Sequence, residues 1–397
     1  MKQAIVVVPV YQTELSATER ASWTQVRRVL SAYDICLLAP ESLIVAGSVW
    51  DDGIRVERFA ERFFQSNNSY SELMLSPNLY ERFTDYEYML VYQLDAFVFS
   101  DRLAEFCAMG YDYIGAPLHH WSGHWKDIGC NVGNGGFSLR KISSTLRVLD
   151  RKEEIFRQMP PAWEENQFLF WEDLFFSFCA TLPELDFHVP NFLTALDFAV
   201  GTDIGHAYEK IPSWLPFGCH AWDRTDYRFW KPVIESFGYH LPEPKGQPQL
   251  YGRQRAAIYC IKERLLRDDT KYLGVALAEV QSFYPSEGRA LALWGSGMYG
   301  KFLARMFRLA GIEIVLVFDR KAKPGDSMDG IPLAAPDFDR IREQHVFVMV
   351  ATLEYEEEIC AGLASHGFVE GTDYGRVSVL AERILRAVLR AAARKRT

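Results

Sequence analysis

An apolar segment in the first half of the chain carries a single carboxylate. Val91–Ser100 reads VYQLDAFVFS, and Asp95 has aromatic and aliphatic residues on both sides. A charge among such neighbours is costly to remove from water unless a partner compensates it. A metal ion that carries a nucleotide diphosphate would be such a partner. We therefore predict one buried strand through this segment, with Asp95 as a metal ligand.

Glycines cluster in a second segment, Val132–Arg140, which reads VGNGGFSLR. Gly133, Gly135 and Gly136 surround Asn134, and glycines let a backbone approach a ligand closely or adopt positive φ. A strand pattern, FSL, follows directly, so the segment lacks the helix that a phosphate-binding loop requires. We expect a ligand-facing loop that feeds a strand, and a tight bulge is the alternative.

Two adjacent acids, Glu172 and Asp173, precede the apolar run LFFSFCATL. Acids at a helix start often do no more than complement the helix dipole. Here Phe170, Trp171 and further aromatic residues surround them, and burial raises the pKa of a carboxyl group, which suits a general base. Both interpretations stay open on spacing alone.

Histidine and tryptophan supply two further candidates. His220 lies in LPFGCHAW, where a lone histidine is usually a core residue, although the preceding proline and glycine predict a turn that presents it. The segment Leu118–Trp125 reads as a loop whose Trp121 and Trp125 could stack on an acceptor sugar or simply cover the core. Its histidines lack the carboxylate or cysteine frame of a zinc site; they are His119, His120 and His124.

The segment Phe63–Tyr70 is rich in asparagine, serine and aromatic residues. Asn67, Asn68 and Tyr70 could contact the base or ribose of a nucleotide. The alternative is an ordered loop with a helix cap at Ser69 or Ser71.

Composition excludes several classes of protein. The chain has 397 residues, of which 49% are hydrophobic and 14% aromatic, and its net charge is −9. The length predicts two or three domains, and the negative charge argues against a general nucleic-acid binder. Seven cysteines without regular spacing suggest free thiols in a reducing compartment, and the absence of any CxxC pair disfavours structural zinc.

Alternating patterns in the first half predict an α/β domain. A β-α-β-β order of this kind is typical of a nucleotide-binding half-domain. The predicted strands are Ala4–Val10, Ile35–Ala39, Ile54–Phe59 and Tyr113–Ala116, and the predicted helices are Thr18–Tyr33, Ser71–Phe83 with a break at Pro77, and Arg102–Met109.

The second half contains a glycine fingerprint after a linker at Gly238–Pro248 and a helical stretch at Arg253–Tyr284. The order is a strand at Arg289–Trp294, the glycines Gly295, Gly297 and Gly300, a helix at Lys301–Leu309, and a strand at Ile312–Phe318 that ends in Asp319. Val346–Ala351 supplies another strand. This order matches a Rossmann unit, which either binds NAD(P) or another nucleotide or has a structural role.

The chain ends bear on location. The N-terminal apolar run is too short for a signal peptide, and no run reaches the length of a membrane span, so we expect a cytoplasmic protein. Ser378–Thr397 predicts a basic helix with apolar residues on one face. That face could lie on an anionic membrane surface, giving peripheral contact at the inner face of the membrane, or pack on the Rossmann unit.

Four segments taken together resemble a known pattern. YQLDAFVF, VGNGGFSLR, WEDLFF and LPFGCHAW are similar to motifs that occur in this order in a glycosyltransferase-like family of unknown function, which resembles the GT-A class of nucleotide-sugar transferases. The resemblance covers about residues 1–240. It implies a GT-A-like mixed, mainly parallel sheet flanked by helices. The patterns of the second half predict a linker and helices at 241–287, a Rossmann-like domain at 288–377 and the basic helix at 378–397.

The resemblance also implies roles. Asp95 matches the second acid of the strand-end motif, which binds Mn²⁺ or Mg²⁺, and Gln93 stands in place of the first acid and could hydrogen-bond the ribose. Residues 133–136 match the glycine loop that lines the donor and acceptor site. Asp173, beside Glu172, matches the base of inverting members, and His220 matches the histidine that binds metal or phosphate.

These observations predict a glycosyltransferase that moves a sugar from a nucleotide-diphosphate donor to a hydroxyl of a glycan or lipid-linked acceptor, with inversion, in surface polysaccharide or glycan biosynthesis. A metal held by Asp95 and His220 would neutralise the leaving diphosphate, and Asp173 would accept the acceptor's proton. Two other functions stay open: an NAD(P)-dependent oxidoreductase built on the glycine fingerprint, and a non-catalytic sugar-binding scaffold, which the loss of an acid at Gln93 allows.

Overall fold

The computed structural model of the chain describes residues 1–44, 49–50, 53–117, 132–159, 171–201, 204, 207, 214–243, 265, 270–285 and 288–394. The chain divides into two compact units, unit 1 (Met1–Gln247) and unit 2 (Pro248–Lys395). No helix within these described ranges is long and apolar enough to cross a membrane.

Unit 1 is built on a mixed, mainly parallel sheet with the strand order β3-β2-β1-β4-β7-β6. The first four strands in that order are parallel, and β7 runs antiparallel to both of its neighbours. The mixed α/β class predicted from the sequence is therefore confirmed. The strands are β1 (Lys2–Pro9), β2 (Asp34–Pro40), β3 (Arg55–Phe59), β4 (Tyr86–Tyr92), β5 (Phe97–Val98), β6 (Tyr113–Pro117) and β7 (Val132–Lys141).

A second, three-stranded sheet joins β5 to two short strands that come much later in the chain. These are β8 (Ala199–Val200) and β9 (Gly218–Cys219), in the order β5-β9-β8. Phe97 pairs with Cys219 in antiparallel register. This pairing brings the residues before Phe97 and those after Cys219 to one place.

Helices cover both faces of the main sheet, and each face has its own core. Ile5 and Val7 belong to one core, whereas Val6 and Val8 belong to the other, as the alternation of side chains along a strand requires. The helices are α1 (Ala17–Val29), α2 (Asn67–Met74), α3 (Pro77–Glu81), α4 (Leu103–Ala108), α5 (Ile142–Leu149), α6 (Lys152–Phe156), α7 (Glu172–Cys179), α8 (Phe192–Phe198) and α9 (Tyr227–Glu235).

Three local predictions are wrong. Val91–Ser100 is not one strand, because β4 ends at Tyr92 and the chain turns before β5 enters the other sheet. The glycines are not in a loop, because they lie within β7. The segment before Tyr70 is not a loop either: α2 begins at Asn67, and Ser66 caps it in a capping box with Ser69.

Unit 2 is a smaller α/β unit with the strand order β12-β13-β11-β10-β14-β15. All pairs are parallel except β12 with β13, and the order around β10 is that of a Rossmann unit. The strands are β10 (Leu291–Trp294), β11 (Ile314–Phe318), β12 (Ser327–Met328), β13 (Ile331–Ala334), β14 (Phe347–Val350) and β15 (Tyr374–Arg376). The helices are α10 (Leu273–Phe283), α11 (Met298–Leu309), α12 (Phe338–Glu343), α13 (Glu356–Ser365) and α14 (Val377–Arg394).

The basic C-terminal helix α14 packs within unit 2. Its apolar face is buried, with Leu380, Ile384 and Val388 each at most 1% exposed, and it lies against α10. Glu279 on α10 forms ion pairs with Arg383 and Arg390. Of the two alternatives for this face, packing on the Rossmann-like unit is therefore the observed one.

Candidate active site

A cleft of about 500 Å³ opens in unit 1 where β1 and β4 end. The chain leaves β1 toward β2 on one side, and β4 lies on the other side, so this is the switch point at which open α/β sheets bind ligands. The described residues that line the cleft are Pro9, Val10, Tyr11, Gln12, Leu15, Glu19, Trp50, Phe64, Gln65, Ser66, Asn67, Tyr70, Gln93, Leu94, Asp95, Asp223 and Arg224.

Asp95 sits in the turn that follows β4. The backbone N–H of Ala96 donates to the carbonyl of Gln93 at 2.9 Å, which closes the turn, and the N–H of Gln93 donates to Gly136 on β7. The Asp95 side chain is only 10% exposed, and its Oδ1 is a buried atom without a hydrogen bond among the described residues. The predicted burial of this carboxylate is thus observed, in a turn rather than within a strand.

His220 reaches the same turn because β9 pairs with β5. Its Nε2 lies 3.2 Å from Asp95 Oδ1 and 3.2 Å from Gln93 Oε1. Burial alone would raise the pKa of Asp95, but the neighbouring His220 imidazole and the Arg224 guanidinium outweigh it and hold that pKa well below its ordinary value. Asp95 is therefore ionised at any physiological pH.

A tight turn after His220 brings a guanidinium to Asp95. Ala221 adopts φ of 55°, a left-handed conformation that is unusual for alanine, and its carbonyl accepts the N–H of Arg224. The Arg224 guanidinium pairs with Asp95 Oδ2 and lies 3.8 Å from Asp223. We did not predict Asp223 or Arg224. The signal that could have found them is a charged pair directly after an aromatic segment.

The glycines of β7 lie in a bulge that is in close contact with neighbouring side chains, among them His220 and Gln93. Along β6, Gly115 pairs with Ser138 but Ala116 pairs with Asn134, so residues 135–137 of β7 have no partner on β6. A Cβ at Gly136 would overlap His220 Nε2 and lie 2.6 Å from Gln93 Oε1. The predicted close approach is present, and it is made to protein side chains in a bulge.

Gly135, the next residue, faces a different cluster. A Cβ there would overlap Glu172 Oε1 and lie 3.3 Å from Arg140 Nη2. Glu172 accepts from Arg140 at 3.3 Å and from the Ser71 hydroxyl at 2.7 Å. Its carboxylate is thus buried and engaged on both oxygens, so its geometry is that of a structural ion pair.

Asp173 begins the same helix, α7, and has a different environment. Burial and then the neighbouring Glu172 carboxylate raise the pKa of Asp173 to about 7, although backbone hydrogen bonds from Leu174 and Gly135 partly offset this. Leu174 donates to Oδ1 at 2.8 Å. A carboxyl group that titrates near neutrality can accept a proton at physiological pH.

Tyr70 stands between the two clusters. It lines the cleft, and burial, with the Glu172 carboxylate second, raises the pKa of its hydroxyl. Asn68 is not among the residues that line the cleft. Its Oδ1 accepts a hydrogen bond from Trp171 Nε1 at 3.2 Å. Asn134 caps the bulge, since its Oδ1 accepts the N–H of Gly136 at 3.1 Å.

The predicted acceptor platform, Trp121 and Trp125, lies outside the described residues, as do His119, His120 and His124. Within the described ranges, no three His, Cys, Asp or Glu side chains are grouped closely enough to hold a metal ion. The five described cysteines are buried and free.

The residues at the cleft nevertheless fit a divalent cation. Asp95 Oδ1, Gln93 Oε1 and His220 Nε2 converge, and the first of these is a buried charged atom without a hydrogen bond. Such oxygen atoms with one imidazole suit Mn²⁺, and water or phosphate oxygens would complete the coordination.

In unit 2, the first and last glycines of the fingerprint are in close backbone contact. Gly295 has φ of 122°, and a Cβ at Gly300 would overlap the Gly295 carbonyl oxygen. The Asp319 carboxylate accepts from the N–H of Ser296 at 3.0 Å and from its hydroxyl at 2.5 Å. Asp319 is therefore at the position expected of a ribose-binding acid, but one of its oxygens is held by the glycine loop.

Comparison with known proteins gives one family match. Residues 53–220 match the model of a family described as "Protein of unknown function (DUF5672)". Three of the four motifs lie inside this range and the fourth reaches its last residue, His220. The match agrees with the resemblance to a family of unknown function. No curated protein sequence matches the chain.

Two solved structures have a similar chain path. One is the galactosyltransferase LgtC in complex with donor and acceptor sugar analogues, with 14% identity and a TM-score of 0.39, covering 61% of this chain and 98% of that one. The other is an active-site mutant of LgtC, with 15% identity and a TM-score of 0.37, covering 54% of this chain and 86% of that one.

Proposed function

We propose that unit 1 is a GT-A-like glycosyltransferase that moves a sugar from a nucleotide-diphosphate donor to a hydroxyl group, with inversion. The observation that carries this proposal is the acidic cleft at the switch point, with the buried Asp95 carboxylate at its base. The resemblance of the motifs supports the donor class and a glycan or lipid-linked acceptor in surface polysaccharide or glycan biosynthesis.

The charges of the cleft support metal-dependent binding of the nucleotide-sugar donor. Glu19, Asp95 and Asp223 line it, and among the described lining residues Arg224 is the one cation. Two net negative charges would repel a diphosphate, and a divalent cation would remove that repulsion. Asp95 and His220 would hold this Mn²⁺ or Mg²⁺, with Gln93 contributing its amide oxygen. When bound, the cation neutralises charge on the leaving diphosphate.

Asp173 is our candidate for the base. Its raised pKa lets its carboxylate accept the proton of the acceptor hydroxyl near neutral pH, while the hydrogen bond from Leu174 holds one oxygen in place. Glu172 then acts as a positioning residue, because Arg140 and Ser71 engage its carboxylate and fix the start of α7. A single carboxylate base supports inversion.

The proposal is tested with a panel of nucleotide sugars, each with and without Mn²⁺, assayed for donor hydrolysis and for transfer to glycan acceptors. We expect Mn²⁺-dependent turnover that Asp95→Asn abolishes. Asp101→Asn is the matched control, because Asp101 is an exposed acid six residues later. Absence of turnover with every donor would favour the sugar-binding scaffold instead, and full activity of Asp95→Asn would overturn the site.

A nucleotide site in unit 2 is a second candidate, and the open space at Gly297 supports it. Among the described residues, no atom lies within 4 Å of a Cβ built at Gly297, so a phosphate group could approach the start of α11. An NAD(P)-dependent oxidoreductase would need this site. Titration of the full chain with NADH tests it: binding that Gly297→Val removes would support the site, and no binding would leave unit 2 a structural role.

A further inference from the structure

We propose that Arg224 and the divalent cation exchange places on Asp95, so that Arg224 neutralises the empty site and then moves to the donor's diphosphate. This inference rests on the proposed function, since it assigns a role at the same cleft. It concerns a residue outside the four motifs.

The first observation is that the two oxygens of Asp95 have different neighbours. Oδ2 pairs with the Arg224 guanidinium, whereas Oδ1 faces His220 Nε2 at 3.2 Å without a hydrogen bond. A carboxylate this deeply buried is costly to leave uncompensated. In the absence of a metal, the guanidinium therefore supplies compensating charge beside the imidazole of His220.

The second observation is that Arg224 can leave. Its side chain is 68% exposed, although its charged end reaches a carboxylate that is only 10% exposed. The side chain thus enters the cleft from the solvent side and is not packed in a core. A cation bound by Asp95 would repel the guanidinium, and rotation about the side-chain bonds would move it outward without any change of backbone.

The third observation is what holds Arg224 near the cleft after it leaves Asp95. Asp223 Oδ1 lies 3.8 Å from Arg224 Nε, and both residues line the cleft. The backbone N–H of Arg224 is fixed on Ala221. The freed guanidinium would therefore remain beside the cleft, where its planar set of donors suits two phosphate oxygens.

The experiment measures Mn²⁺ affinity directly, by the paramagnetic resonance signal of free Mn²⁺, in the full-length protein without donor. Arg224→Gln should bind Mn²⁺ about fivefold to tenfold more tightly than the wild type, because a competing ion pair of mostly exposed character has been removed. In calorimetry at saturating Mn²⁺, the same variant should bind inorganic pyrophosphate about tenfold more weakly, because it lacks the guanidinium that would donate to two phosphate oxygens.

Arg62→Gln is the matched control. Arg62 is also 68% exposed and pairs with one acid, Glu72, at 3.6 Å, but it does not line the cleft. It should change neither affinity. Unchanged or weaker Mn²⁺ binding by Arg224→Gln, with wild-type binding intact, would overturn the exchange alone. Absence of Mn²⁺ binding in both the wild type and Arg224→Gln would overturn the metal site of the proposed function.

Discussion

Arg140 and Glu172 form an ion pair that is almost closed to water. Arg140 Nη2 lies 3.3 Å from Glu172 Oε1, and the two side chains are 0% and 7% exposed. The guanidinium also donates to Tyr80 Oη at 2.8 Å and to Ser138 Oγ at 3.1 Å. The buried Arg140 guanidinium is therefore both ion-paired and hydrogen-bonded to neighbouring hydroxyl groups.

Arg140→Met should destabilise the protein strongly, because it leaves the Glu172 carboxylate buried without its partner. We expect a loss of about 3–5 kcal/mol in the free energy of unfolding, measured with urea. The double variant Arg140→Met/Glu172→Gln should recover part of that loss. Arg151→Met, which breaks an exposed pair with Glu154, should cost less than about 1 kcal/mol. Equal losses for Arg140→Met and Arg151→Met would contradict the assignment.

Sugar transfer should depend on pH through Asp173. Because its pKa is raised to about 7 and a base must be deprotonated to act, kcat/KM should rise with pH up to about 7 and then level off. Asp173→Asn should lower kcat by about 10²–10⁴ and leave Mn²⁺ affinity unchanged. A flat profile between pH 5 and 8, roughly the range in which such a base titrates, would exclude Asp173 as the base.

The same carboxyl group should also affect stability. Its pKa is higher in the folded chain than its ordinary value of 3.8, so the folded state binds the proton more tightly. Its contribution to the free energy of unfolding is therefore greatest below about pH 4 and is lost as the pH rises toward 7. Asp173→Asn should flatten this part of the stability profile, and urea unfolding at several pH values measures it.

Gly136→Ala should weaken metal binding. The added Cβ would overlap His220 Nε2 and crowd Gln93 Oε1, so both ligand side chains must move. We expect Mn²⁺ affinity to fall by at least about tenfold, as is common when groups that orient metal ligands are disturbed. Gly274→Ala is the control, because no atom of the described part of the chain lies within 4 Å of a Cβ there. Equal Mn²⁺ affinity in the two variants would show that the contact has no effect on the site.

The glycines of unit 2 should differ in their tolerance of alanine. Gly300→Ala places a Cβ against the carbonyl oxygen of Gly295 and should cost about 1–3 kcal/mol. Gly297→Ala meets no neighbouring atom and should change stability by less than about 0.5 kcal/mol. Thermal unfolding of the two variants measures the difference. A larger loss at Gly297 than at Gly300 would contradict the packing described for this loop.

Most of the secondary structure could be predicted, because apolar runs and helical spacing reflect burial directly. The strand predicted at Ile35–Ala39 lies within β2, and the helix predicted at Lys301–Leu309 lies within α11. The error at Val91–Ser100 has a clear reason. An apolar run reveals burial but not the partner strand, and here its two ends pair with β7 and β9 in different sheets.

The bulge in β7 was harder to predict, because glycine usually disfavours strands. What makes Gly135 and Gly136 suitable is tertiary: Glu172 and His220 occupy the space that a side chain would fill. The burial of Asp95 was predictable from its apolar neighbours, and the roles of Asp95 and His220 in the site stay predictions. Arg224 could be noticed only as part of a charged pair after an aromatic segment, because its approach to Asp95 depends on the left-handed conformation of Ala221, for which alanine gives no sequence signal.

The adjacent contacts of Gly135 and Gly136 limit how this site can change. Glu172 and His220 occupy the space that a Cβ at Gly135 or Gly136 would take, so any side chain at these two positions requires one of them to move. New donor or acceptor preferences would have to arise elsewhere on the cleft, at side chains with room to vary. Tyr11, which lines the cleft and is 62% exposed, is the first position we would randomise to redirect specificity.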